Sequence, residues 1–100
     1  MKEYSDKSAY KEHLTRRNYL TLLATKLATK YKPSAKIGEI REIVRKYDAK
    51  EARCCHNTLD SLGLVHKLVS RKKGICINTH KAQFFYSVSD KGNEFLKRTI

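Results

Sequence analysis

Arg53 and Asn57 stand four residues apart in a stretch with helical spacing, so both side chains point from one stripe. An arginine fork can pair with O6 and N7 of guanine, an asparagine amide with N6 and N7 of adenine, both in a major groove. This is recognition chemistry rather than bond-breaking chemistry. Lys50 at the start of the same stretch, with Lys36 and Arg41 before it, is better suited to phosphate oxygens than to base edges. From Ser61 to Ser89 the chain has no acidic residue, yet it holds Lys67, Arg71, Lys72, Lys73 and Lys81. A solvated charge run is the bland reading of such a stretch. Its place directly after a helix with outward Arg and Asn favours a surface for a polyanion. The competing reading of the pair is that Arg53 binds Glu51 or Asp60 and Asn57 is a neutral surface residue.

The whole chain supports that bias, with 22 Lys and Arg against 10 Asp and Glu and a net charge of +12 over 100 residues. A charge of this size on one small domain predicts attraction to nucleic acid first and to an acidic membrane second. No window approaches the roughly 18 apolar residues of a membrane span, and Met1 to Asp6 lacks the apolar core of a signal peptide. The expectation is a soluble, cytoplasmic, DNA-associated protein. Three cysteines, Cys54 and Cys55 adjacent, fit poorly with an internal disulfide framework, although Cys54 or Cys76 can join two subunits. Cys54, Cys55, His56, Cys76 and His80 are metal donors by type. Neighbours on a helix point about 100° apart, there is no Cys-x-x-Cys, and no metal or other cofactor is expected. Cys55 fits better as a small core residue. The carboxylates do not converge on a cleft and there is no glycine-rich phosphate loop, so the sequence does not read as an enzyme.

The elements that must position these residues follow from periodicity. Residues 1 to 7 are expected to be mobile and 8 to 100 to form one domain. From Ser8 to Tyr31, Leu20, Leu23, Ala24, Leu27 and Tyr31 recur at spacings of three and four, with Leu14, Tyr19 and Leu22 widening the face of a helix that Pro33 ends. A second helix carries Ile37, Ile40, Ile43, Val44 and Tyr47 on one side and Lys36, Arg41, Arg45 and Lys46 off it. After a very short gap, Asp48 is expected to cap a third helix over 49–62, with Glu51 reaching back to it and Gly63 ending it. Ala52, Cys55, Leu59 and Leu62 then face inward, and Lys50, Arg53, Cys54 and Asn57 outward. Strands are expected over Val65 to Val69 and Phe84 to Val88, in a hairpin spanning 66–88. Pairing Val65 with Val88 puts its tip near Cys76, but Arg71 to Gly74 and Asn78 to Lys81 are both turn-like. Ser89 or Asp90 caps a last helix with Phe95, Leu96 and Ile100 on its apolar face.

Leu59-x-x-Leu62-Gly63-Leu64-Val65 and Tyr86-x-Val88-Ser89-x-Lys91-Gly92 resemble the winged helix-turn-helix regulators of the MarR-like and PadR-like group, over roughly Ile37 to Leu96. The second motif matches the family pattern Tyr-x-Leu-Thr-x-Lys-Gly, with Val and Ser in place of Leu and Thr. In size and lysine content the chain also resembles compact winged-helix proteins of archaea and their viruses. The resemblance implies an α+β winged helix-turn-helix: a three-helix core, a β-hairpin wing and a short C-terminal helix. It also implies a third helix that carries Arg53 and Asn57 into the major groove, and a wing that sets Arg71 to Lys73 on the backbone or minor groove. Long dimerisation helices and an effector pocket, present in larger regulators, are missing from the pattern. The expected function is sequence-specific binding of double-stranded DNA by a transcriptional regulator. The expected assembly is a homodimer through Leu14, Tyr19, Leu22, Phe95, Leu96 and Ile100, unless those residues close the core of one chain. A protein-interaction adaptor, or a protein that binds DNA or RNA without sequence preference, is the alternative.

Overall fold

The computed structural model describes residues 14–75 and 77–99. The expected mobile segment at 1 to 7, the first turns of the expected first helix, Cys76 and Ile100 lie outside them. The described chain is α+β, with five helices and a three-stranded antiparallel sheet. In chain order these are α1 (Arg16–Ala28), β1 (Ala35–Lys36), α2 (Ile37–Tyr47), α3 (Ala49–Ala52), α4 (Cys55–Asp60), β2 (Val69–Ile75), β3 (Ala82–Val88) and α5 (Asp90–Thr99). The sheet order is β1-β3-β2, so the strand next to α2 pairs with the far arm of the hairpin.

Thr15 caps α1, its hydroxyl accepting from the Asn18 amide at 3.0 Å. The helix ends at Ala28, before the expected Tyr31, which is 90% exposed beyond it. Its inward face is Thr21, Leu22, Ala24 and Thr25. The Leu20, Leu23, Leu27 stripe instead lines, with Tyr47, an open apolar groove of about 330 Å³. Ala24 of the expected stripe is buried and Leu23 packs against the core, so spacing placed the inward face only in part. The consequence for assembly is direct. Leu14, Leu22, Phe95 and Leu96 are buried, and Tyr19 packs on the core with its ring edge-on to Phe95 at 6.2 Å. These residues close the core of one chain, the alternative that the sequence left open.

A single residue, Asp48, separates α2 from α3, as the short gap in the sequence required. Its carboxylate accepts from the Lys50 amide at 3.1 Å. Glu51 does not reach back to this cap: the Asp48 amide donates to the Val44 carbonyl at 2.8 Å, and Glu51 accepts from Arg17 at 2.7 Å. The expected continuous helix over 49–62 is divided. The Cys54 amide reaches Glu51 at 3.4 Å, and Cys54 leaves helical geometry at φ −108°, ψ 17°. Ser61–Val65 then forms one wide turn closed by the His66 amide on the Ser61 carbonyl, so Gly63 is not the end of the helix. A Cβ on Gly63 would sit 3.3 Å from the Val69 carbonyl. Close approach of β2, rather than left-handed geometry, is what that glycine serves.

The left-handed residue at this junction is Lys67, at φ 61°. It turns the chain so that the Leu68 amide returns to the Leu62 carbonyl at 2.8 Å, which delays the strand to Val69 and leaves Val65 70% exposed. Val69, not Val65, pairs with Val88, and Ile75 pairs with Ala82. The hairpin end therefore lies beyond the Ile75–Ala82 pair, and Arg71 to Lys73 are strand residues. Leu59 sits under this junction at 1% exposure. Leu59→Ala is expected to lower unfolding free energy by about 2–5 kcal/mol, measured by urea denaturation. A loss below about 1 kcal/mol would mean the site refills.

Candidate nucleic-acid interface

The inner and outer faces of α3 and α4 divide as the sequence proposed. Ala52, Cys55 and Leu59 are buried, whereas Lys50, Arg53 and Asn57 are exposed. Burial pushes the Cys55 thiol up, against the opposing field of Arg41 and the Thr21 hydroxyl. Cys54 is half-buried rather than fully outward. The break at Cys54 changes one premise, since Arg53 ends one helical segment and Asn57 lies in the next. Both are exposed, but on consecutive helical segments rather than on one helical stripe.

The carboxylates around this surface are occupied. Asp48 meets Arg16 at 3.4 Å and Glu51 meets Arg17 at 2.7 Å, a hydrogen bond that raises the Arg17 pKa above its ordinary value. Asp60 meets Arg71 at 3.2 Å and His56 at 3.9 Å. Neither Glu51 nor Asp60 is the partner of Arg53. Among the described residues Lys50, Arg53 and Asn57 have no side-chain partner, so their donors face water. The pairs are themselves largely exposed and add little stability. Their effect is on the field: they cancel the negative charge nearest to a cationic surface.

The remaining expected contacts separate. Arg71 is committed to Asp60 and lies over the Phe84 ring at 4.2 Å, so it braces the hairpin against α4 and is not a free phosphate donor. Side chains alternate across a sheet. Arg71 and Lys73 pair with Tyr86 and Phe84 on the side that continues into the core, whereas Lys72 pairs with Phe85 on the opposite side. Lys81 is exposed at the hairpin end. Lys36 is not on α2 but ends β1, where its amide donates to Glu39 at 2.9 Å. Lys32 and that amide hold the Glu39 carboxyl below its usual range. Arg41 is half-buried on α2, near enough to Cys55 to act on its thiol. Lys67 is exposed at the left-handed turn, its carbonyl accepting from Ser89 at 2.7 Å. Lys50, Arg53, Asn57, Lys73 and Lys81 are thus the exposed candidate contacts that no ion pair occupies.

Sequence reasoning missed β1, Phe84 beneath Arg71, and the screening by Arg16 and Arg17. A two-residue strand carries no periodicity, and ion pairs between residues more than thirty apart leave no local pattern. Among the described residues no group of three or more His, Cys, Asp or Glu is placed to hold a metal ion, and no helix is long and apolar enough to cross a membrane. No protein-family model matches the chain, and neither the curated proteins nor the solved structures compared with it give a significant match.

Proposed function

We propose that this chain is a winged helix-turn-helix domain that binds double-stranded DNA in a sequence-specific manner and regulates transcription. The order helix, strand, helix, short helices and hairpin, with strand order β1-β3-β2, is compatible with that arrangement. The observation that carries the reading is the outward face of α3 and α4. Lys50, Arg53 and Asn57 stay exposed and unpaired there, while Asp48, Glu51 and Asp60 are each tied to another cation. In this reading Arg53 and Asn57 contact base edges in the major groove. Lys50, Lys73 and Lys81 contact phosphates. A homodimer belongs to the same proposal, with the apolar groove of Leu20, Leu23, Leu27 and Tyr47 available in place of the buried residues first expected to form it.

The experiment is a binding selection from random duplexes, followed by titration of the selected site. Arg53→Ala and Asn57→Ala are each expected to lose about 1–3 kcal/mol on that site and much less on unrelated duplexes. Equal losses on every sequence would make both residues phosphate contacts. Absence of any duplex binding at low salt would favour a protein-interaction adaptor.

A further inference from the structure

The opposite face of the sheet carries a second arrangement of cations, built around an aromatic ring. Ala35 and Arg71 both pair with Tyr86 on the core side. Lys36 and Lys72 both pair with Phe85. Alternation therefore sets a Lys-Phe-Lys row across all three strands on the outer side. The Phe85 ring leans along its strand over Gly74, where a Cβ would fall 2.6 Å from ring Cε2 and 2.9 Å from Cδ2. Gly74 pairs with Gln83, so the ring leans toward the Gln83 amide. Lys36, Ile75, Ile77, Asn78, Gln83 and Phe85 line an open pocket of about 300 Å³, with no carboxylate among the described residues of its wall. Gln83 Nε2 is buried without a hydrogen-bond partner, and a buried donor in that state is costly until an acceptor reaches it. Glu39, the carboxylate that senses Lys36, is already held by Lys32 and the Lys36 amide.

We propose that this face binds single-stranded nucleic acid, with an unpaired base stacked on Phe85, a base carbonyl accepting from Gln83 Nε2, and phosphates alongside Lys36 and Lys72. A flat ring between cations is how sheets hold unpaired strands, because every base has a π-face and every link a negative charge. An acidic peptide matches the charges but not the ring. Duplex DNA cannot offer a free base face to it. The residues lie on the sheet face away from Arg71 and Lys73, so the proposal stands apart from the duplex reading.

The test uses a labelled oligothymidylate and the full chain, with affinity read by fluorescence anisotropy. Phe85→Leu, which keeps an apolar side chain over Gly74, is expected to weaken oligothymidylate binding roughly five- to a hundredfold, the range found for loss of one stacked base. Duplex affinity is expected to stay unchanged. Arg53→Ala is expected to do the reverse, so failure of one reading is distinguishable from failure of the other. In an iodouracil-substituted oligonucleotide, photocross-linking is expected at Phe85 of the wild-type chain, a readout that a merely structural role would not give. Wild-type affinity in Phe85→Leu, cross-links confined to α4 or the hairpin end, or equal competition by polyglutamate would each overturn the proposal.

Discussion

Gly92→Ala is expected to lower the stability of the protein by about 3 kcal/mol or more, the upper end of the cost of overfilling a packed site. The added Cβ would lie 2.1 Å from the Leu68 carbonyl oxygen and 2.6 Å from Cγ1 of Val88. The first obstacle is backbone and cannot rotate aside. That carbonyl is also fixed, because it accepts from the Ser89 amide at 3.0 Å while Leu68 donates to Leu62 at 2.8 Å. The Ser89 hydroxyl completes the joint, donating to the Lys67 carbonyl at 2.7 Å and accepting from the Gly92 amide at 3.0 Å. To admit a methyl group, α5 would have to lift from the turn before β2 and draw Phe95 and Leu96 out of the core. A small domain has only about 5–15 kcal/mol in total, so the change removes a large part of it. Gly38→Ala is the control. Nothing lies within 4 Å of a Cβ there, and the substitution is expected to raise stability by about 0.4–1 kcal/mol through a less flexible unfolded chain. Urea midpoints of both variants beside the wild type decide the matter. An unchanged midpoint for Gly92→Ala would show that α5 is not docked on this turn in solution.

The same joint shows what the sequence made legible. Tyr86, Ser89 and Gly92 were recognisable as one motif because each has a local or adjacent duty: a buried strand residue, a helix cap and a close contact. The inward positions of α3, α4 and the wide turn after them were legible for a similar reason, since Ala52, Cys55, Leu59 and Leu62 repeat at helical spacing. The hairpin register was not. Val65 has the β-branched side chain of a strand residue, but the left-handed Lys67 and the return of Leu68 to Leu62 hold it outside the sheet, and those are tertiary facts. The second duty of Arg71 was hidden for a related reason. Its charge is visible in the sequence, while its neutralisation by Asp60 depends on where the strand begins. Four residues of register decide whether Arg71 reaches Asp60.

The second large effect is expected from charge, and the division of the hairpin into two faces makes it specific. Replacing Lys50, Lys73 and Lys81 together with Gln keeps polar side chains and removes three cations from the proposed duplex surface. Each phosphate contact releases counterions, so logarithmic affinity falls with logarithmic salt at about 0.9 units per contact. Loss of all three contacts is expected to flatten that slope by up to about 2.7, and to weaken binding by orders of magnitude at low salt. The ranking of duplex sequences is expected to survive, because Arg53 and Asn57 are untouched. Lys72→Gln, on the opposite face, is expected to leave the duplex slope as it is. Arg71 is excluded from the set because its removal would release Asp60 and place a bare carboxylate beside α4. Should the ranking collapse instead, the hairpin contributes shape readout in a narrow minor groove. Should Lys72→Gln alone flatten the slope as much as the triple variant, the duplex would lie against the outer face of the sheet, and α4 would lose its role as the reading element.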